Sequence, residues 1–250
     1  MSRIPDLKII EIEINSACNM SCSYCPNSYG QRKEKGFMTF DKFKFLINEL
    51  KKINYEGYIS YHFYNEPLLH PELDKFVECV KGTIPKAKSL IYTNGTKLNL
   101  DYFRRLIKSG VHKFIVTKHE NVKNFLFNEV IKSCLESEKK YFELKDYSKI
   151  LLTNRAGAVS IIKSEIPQIA KCEVPLHMMT ITLNGNILPC FEDFFQSKEM
   201  GNLYETSLIN IWNSAEYIQF REDLKKGLRF RHKACSQCSR EESLFDLSFV

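Results

Sequence analysis

Ile10-Glu11-Ile12-Glu13-Ile14 is followed, three residues on, by Cys18-Asn19-Met20-Ser21-Cys22-Ser23-Tyr24-Cys25. The first segment alternates apolar and polar side chains, the signature of a strand. The second sets three cysteines within eight residues, in the loop that leaves that strand. Three thiolates so spaced can fold around one face of an iron–sulfur cubane. Four-iron clusters take four cysteines when all ligands are protein, so three leave one iron open to another ligand. A zinc site completed by a distant residue is the alternative.

Strand and helix signals alternate outward from this loop. Thr39 is a helix N-cap before an apolar stripe at Phe40, Phe43, Ile47 and Leu50. Tyr58 to Tyr64 predicts a second strand. Pro71 is placed to open a helix carrying Leu73, Phe76, Val77 and Val80 on one face. Ser89 to Tyr92 predicts a third strand ended by Asn94-Gly95. Leu100 to Ser109 is a helix capped by Gly110, and Lys113 to Val116 a fourth strand. Such repeats imply parallel strands with right-handed crossovers, in an open doubly wound sheet or a barrel. No Gly-x-Gly-x-x-Gly follows the first strand, which disfavours a dinucleotide fold. The repeats fade near residue 165, so the chain is an α/β protein with a partial (β/α) barrel over residues 1–165 and a small C-terminal α+β domain over 166–250.

Hydrophobic and charged fractions of 44% and 26% are those of a globular protein, and the net charge of +6 argues neither for nucleic acid nor for a membrane surface. No stretch approaches the roughly 20 apolar residues of a membrane helix. Met1 to Leu7 lacks the apolar run of a signal peptide, so the cytoplasm is the default. Nine cysteines in such a chain point to metal or catalysis rather than disulfides. Cys79 and Cys134 lie in helical patterns and read as small apolar residues.

The other four cysteines form Cys172-x12-Gly185-x4-Cys190 and Cys235-x2-Cys238. Met178 to Leu183, Asn184-Gly185 and Asn186 to Leu188 predict a hairpin between the first two. A helical run from Leu208 to Lys226 leads to the last two. Four thiolates supply one cluster, with four-thiolate zinc as the alternative. Only twelve residues follow Cys238, none a cysteine, so a second cluster there lacks ligands.

The Cys18-x3-Cys22-x2-Cys25 motif, with Tyr24 before its third cysteine, resembles the signature of the radical S-adenosylmethionine (SAM) enzymes. Tyr64-Asn65-Glu66-Pro67 stands where that family commonly has Gly-Glu-Pro. Asn65 replaces the glycine, and asparagine tolerates left-handed backbone. The second cysteine set, with Met200-Gly201-Asn202-Leu203 and Ile211-Trp212, resembles the family's auxiliary-cluster extension, the twitch domain. Within the family, His62-Phe63-Tyr64, Ile91 to Gly95, Lys113 to Thr117, Asn154-Arg155 and Leu188 to Phe194 look like the twitch-type dehydrogenases that oxidise 2-deoxy-scyllo-inosamine in aminoglycoside antibiotic biosynthesis. The stretch from about Asn121 to Leu152 matches weakly.

The resemblance implies two 4Fe-4S clusters, one at Cys18, Cys22 and Cys25 and an auxiliary one at Cys172, Cys190, Cys235 and Cys238. It implies SAM bound near Tyr24, Asn65, Glu66, Thr117 and His119. An aminocyclitol or related polyol is expected against Tyr64, Tyr92, Arg155, Phe191 and Glu192, with Arg155 and Glu192 as the catalytic pair. The implied reaction is hydrogen abstraction by a 5′-deoxyadenosyl radical, proton loss to Glu192 or water, and electron transfer to the auxiliary cluster. A flavodoxin or ferredoxin-type reductant is implied. Each residue has a plainer reading: Tyr64 and Tyr92 as core, Arg155 as a surface ion-pair partner, Glu192 as support beside the cluster, and His62 as structural. A peptide maturase is the rival enzyme; many carry a leader-binding module before the barrel, and about nine residues precede the first strand here. A sugar or sugar-nucleotide substrate is the rival ligand.

Overall fold

A computed structural model describes residues 4, 6–30, 34–120, 122, 125–150, 152–162 and 170–240. Five strands, β1 (Ile9–Ile12), β2 (Tyr58–Ser60), β3 (Lys88–Thr93), β4 (Val111–Lys118) and β5 (Phe142–Asp146), run parallel. Helices α1 (Phe40–Lys52), α2 (Leu73–Thr83), α3 (Leu100–Ser109) and α4 (Phe127–Ser133) lie in the connections. A short α5 (Val174–His177) leads into the hairpin of β6 (Met178–Ile181) and β7 (Ile187–Leu188). The C-terminal region adds α6 (Leu208–Trp212), α7 (Ala215–Lys225) and α8 (Lys233–Ser236).

The strand order is β5-β4-β3-β2-β1-β6-β7. β6 pairs parallel with β1 over Ile9↔Met178 to Ile12↔Ile181, so the hairpin continues the barrel sheet. The boundary expected near residue 165 lies outside the described residues.

Both faces of the sheet are covered, as parallel sheets require. Ile10, Ile12 and Ile14 pack outward with Phe43, Leu46, Phe76, Phe103 and Phe114 of the helical layer. Inward, Ile9, Leu90, Val174 and Met178 form a second apolar cluster, against which Tyr92, Cys172, Cys190 and Phe191 pack. The inner layer thus carries site residues on its own packing. In the outer layer Phe43 is fully buried and stacks on Phe76 at 4.2 Å. Phe43→Ala is expected to cost about 3–5 kcal/mol, read as a lower midpoint in chemical denaturation.

Local signals act largely as expected. Thr39 Oγ1 accepts from Lys42 N at 3.4 Å, and Gly110 ends α3 at φ +121°; the Asn99 cap, whose Oδ1 accepts from Tyr102 N at 2.8 Å, is added by the structure. Three expectations are corrected and one strand is added. β2 stops at Ser60 rather than Tyr64, because the next residues turn into a loop held by Asn65. Pro71 lies outside α2, whose N-cap is Glu72. The Leu208–Lys226 run is two helices, since Ser214 Oγ accepts from Tyr217 N at 3.2 Å and starts a new one. Finally, β5 is a fifth parallel strand that the hydrophobic pattern does not announce.

Candidate active site

The loop after β1 is wound by its own hydrogen bonds. Cys25 N donates to Cys22 O at 3.0 Å, Ser28 Oγ to the same carbonyl at 2.7 Å, and Tyr29 OH to Ser23 O at 2.6 Å. Cys18 is exposed, Cys22 buried and Cys25 half-buried. Burial pushes the Cys18 and Cys22 thiols up to about 11, and the other cysteines of the loop push the same way. Sulfurs that disfavour one another's ionisation are a donor set that a shared cationic core relieves. The loop therefore fits a cluster bound through three cysteines.

The ends of the neighbouring strands close over this loop. Glu66 N donates to Ala17 O at 2.8 Å, and Asn15 Nδ2 to Glu66 O at 3.2 Å. The Glu66 carboxylate accepts from Leu68 N at 3.0 Å, Thr93 Oγ1 at 2.8 Å and Asn94 N at 2.8 Å. Burial lifts Glu66 to about 7 against those three bonds. Asn94 Nδ2 reaches Asn19 Oδ1 at 2.9 Å, and Asn19 Nδ2 reaches Thr96 Oγ1 at 2.8 Å. Asn65 does not occupy the left-handed region, in contrast to the expectation for a glycine replacement. Its side chain holds the loop instead, accepting from Phe63 N at 2.8 Å and donating to Tyr61 O at 3.2 Å and to Asn15 Oδ1. Tyr24 OH is hydrogen-bonded to His119 Nδ1, and Tyr147 stacks on the Tyr24 ring at 5.7 Å. Thr117 lies two residues before His119 near the end of β4. Tyr147 carried no sequence signal for this place, whereas Asn94 closes the Ile91 to Gly95 stretch and Asn19 lies inside the cysteine motif.

The second cysteine set rims a cavity together with Glu192, Asp193, Arg229 and Arg240. Burial raises all four thiols, Cys238 to about 11. Among the described residues no group of three or more His, Cys, Asp or Glu closes tightly enough for a single ion. Thiols around a space, with two guanidiniums beside them, fit a larger anionic cluster.

Tyr64, Arg155, Phe191 and Glu192 lie between the two sets. Burial raises the Tyr64 phenol, Arg155 opposes it, and Glu192, Cys190 and Cys25 push it further up, so cysteines of both sets act on one side chain. Tyr64 OH donates to Phe191 O at 2.7 Å. Glu192, only 2% exposed, accepts from Thr153 Oγ1 at 2.8 and 3.0 Å and from Arg155 Nη1 and Arg240 Nη1 at 3.4 Å each. Burial works to lower Arg155, but Glu192, Tyr64, Cys25 and Glu11 outweigh it and hold the guanidinium above its ordinary range. Arg155 and Ala156 have left-handed φ of 49° and 51°, a conformation that surrounding contacts must impose. The preceding residue is anchored: Asn154 Nδ2 donates to Gln237 O at 2.8 Å, and its Oδ1 accepts from Ser239 N at 3.0 Å. The Arg155 turn is thereby tied to the segment bearing Cys238.

Tyr92 points into the same interior and stacks on His62 at 4.4 Å. That stacking brings His62, read as structural, against a candidate substrate residue, and His62 Nε2 lies 3.6 Å from Glu11 Oε1. Thr180 Oγ1 donates to Glu11 Oε2 at 2.9 Å. Burial lifts Glu11 to about 8 and lowers His62 to about 4. Glu11 thus holds its proton in the fold at pH values where an unfolded glutamate has lost it. Its contribution to stability is full below about 4.5 and falls as pH rises through about 8. Glu11→Gln is expected to flatten this decline, read as the wild-type minus variant difference in unfolding free energy between pH 5 and 9.

The chain is similar to known proteins over most of its length. Residues 12–119 match the model of the radical SAM superfamily, and residues 172–239 that of an iron–sulfur cluster-binding domain. The chain is 40% identical over 235 residues to the S-adenosyl-L-methionine-dependent 2-deoxy-scyllo-inosamine dehydrogenase of Niallia circulans, covering 92% of each. It is similar to the crystal structure of BtrN in complex with AdoMet and 2-DOIA, with a TM-score of 0.89, 37% identity and 98% of each chain covered. Streptococcus suis SuiB bound to the precursor peptide SuiA shares the fold, at TM-score 0.58 and 13% identity over 95% of this chain and 76% of that one. The chain belongs to the radical SAM superfamily, in the same family as the Niallia circulans dehydrogenase, with SAM and 4Fe-4S clusters as its cofactors.

Proposed function

We propose that this protein oxidises a secondary alcohol of an aminocyclitol or related polyol, of the 2-deoxy-scyllo-inosamine kind, to a ketone. One observation carries the reading: Tyr64 OH bonds Phe191 O at 2.7 Å, and Arg155 Nη1 lies 3.4 Å from Glu192, whose own N–H meets Cys190 Sγ at 3.4 Å, so polar and aromatic side chains gather beside a cluster cysteine. The likeness to the Niallia circulans enzyme supports the substrate class.

Held by Cys18, Cys22 and Cys25, the first cluster would, with SAM, supply a hydrogen-abstracting radical, and a cluster held by Cys172, Cys190, Cys235 and Cys238 would supply an electron acceptor. The chain's own residues do the rest. Tyr64, Tyr92 and Phe191 wall the substrate, and Arg155 donates to its oxygens. Arg155 is held protonated by its neighbours, so it orients and does not act as the base. Glu192 takes the hydroxyl proton, directly or through water; Thr153 and two guanidiniums fix its carboxylate. Tyr24, Asn65, Glu66, Thr117 and His119 surround the SAM position. A flavodoxin or ferredoxin-type protein supplies the electron that starts the reaction. Clustered cysteines suit the reducing cytoplasm, and no helix among the described residues is long and apolar enough to cross a membrane.

The test is anaerobic reconstitution, then mass spectrometry of deoxyadenosine and products over a panel of aminocyclitols, sugars, sugar nucleotides and peptides. The expected product is an aminocyclitol lighter by two hydrogens. Turnover of a peptide or sugar nucleotide, with no cyclitol ketone, rejects the assignment.

A further inference from the structure

Arg229 is 2% exposed and lines the cavity that the second cysteine set rims. Its Nε donates to Ala170 O at 2.8 Å, Nη2 to Lys171 O at 3.2 Å and Nη1 to Arg240 O at 2.7 Å. Ala170 and Lys171 lead into Cys172, and Arg240 follows Cys238 by two residues. One guanidinium therefore joins the chain segments that carry the first and last thiols of the set.

All three acceptors are neutral carbonyls, and among the described residues no carboxylate meets Arg229. The other charged side chains around the cavity, Asp193 apart, have a partner of opposite sign. Arg240 bonds Glu192, Lys198 pairs with Glu216, and His232 lies 3.2 Å from Asp223. Asp193 accepts from Ser197 N at 3.0 Å and from Lys198 N at 3.0 Å. A buried cation without an anionic partner is expensive, and the space it faces is lined by four thiols that bind metal as thiolates.

We propose that Arg229 is the fixed counter-cation of the auxiliary cluster: a positioning residue that joins its outer ligand segments and, by its charge, sets the potential at which the cluster accepts an electron. One-electron reduction adds a negative charge, which a fixed cation nearby favours, and cluster potentials respond to charge, hydrogen bonding and burial. The inference rests on the auxiliary cluster and is independent of which polyol is oxidised.

The test compares Arg229→Gln, which removes the charge, with Arg229→Lys, which keeps it. Both are reconstituted anaerobically, assayed for iron, and titrated potentiometrically with EPR detection of each cluster. In Arg229→Gln the auxiliary midpoint is expected to fall by the equivalent of about tenfold in the reduction equilibrium, about 59 mV for one electron. The three-cysteine cluster keeps its midpoint, and Arg229→Lys stays near wild type. If Arg229→Gln loses the cluster, native iron content and midpoint in Arg229→Lys still support the charge role. An unshifted midpoint in a loaded Arg229→Gln overturns the proposal. So does an Arg229→Lys protein that shifts, or loses its cluster, as Arg229→Gln does.

Discussion

Replacing Cys235 and Cys238 with alanine is expected to leave deoxyadenosine formation running while ketone formation collapses. The three-cysteine loop is built from β1, the strand ends and their asparagines, none of which draws on the Cys235–Cys238 segment. SAM cleavage should therefore survive the double substitution. The oxidation needs somewhere to send a second electron, and the cavity loses two of its four thiols. Iron should drop from about eight to about four atoms per chain, as two four-iron centres become one. The fall in ketone should exceed the roughly 10²-fold that a misplaced substrate costs, because Asn154 ties the Arg155 turn to the same segment. Asn154→Ala separates these causes: it disturbs the turn and leaves all four thiols, and should cost ketone without costing iron. Unchanged ketone yield in the double cysteine variant would reject the acceptor role.

Glu192→Gln is expected to lower ketone formation by about 10²–10⁴-fold, the usual worth of a positioned acid–base group. The glutamine keeps the shape of the side chain and its bond with Thr153, but it cannot take a proton. Deoxyadenosine should still form, so the variant should run uncoupled, with more SAM consumed per ketone. Thr153→Val makes a milder case, since it removes the 2.8 and 3.0 Å contacts that orient the carboxylate and leaves the carboxylate itself. A fall of less than about tenfold for Glu192→Gln would assign the proton to water and leave Glu192 as a binding group.

The legible part of the molecule was the part written in short spacing. The three-cysteine loop, the Thr39 and Gly110 caps and the hairpin turn at Asn184-Gly185 each depend on neighbours within a few positions. β5 was not legible because Phe142–Asp146 lies against β4 alone and is nowhere fully buried, so its apolar alternation is weak. Glu11 shows a different failure. In an alternating strand it reads as the solvent side, yet all four residues of β1 are buried because a barrel covers both faces. Thr153, Arg229 and Arg240 reach the site from distant positions, and a lone threonine or arginine carries no periodic signal. Asn65 was read for its backbone tolerance, whereas its side-chain amide does the work.

The pairing of β6 with β1 bears on how such proteins can be cut and recombined. Excising everything from Met178 onward would bare four consecutive residues of β1, Ile9 to Ile12, that now share a ladder with the hairpin. An uncovered apolar edge recruits other chains, so the truncated half should self-associate. Grafting a different C-terminal module onto this scaffold would succeed only if the donor brings its own strand in matching register.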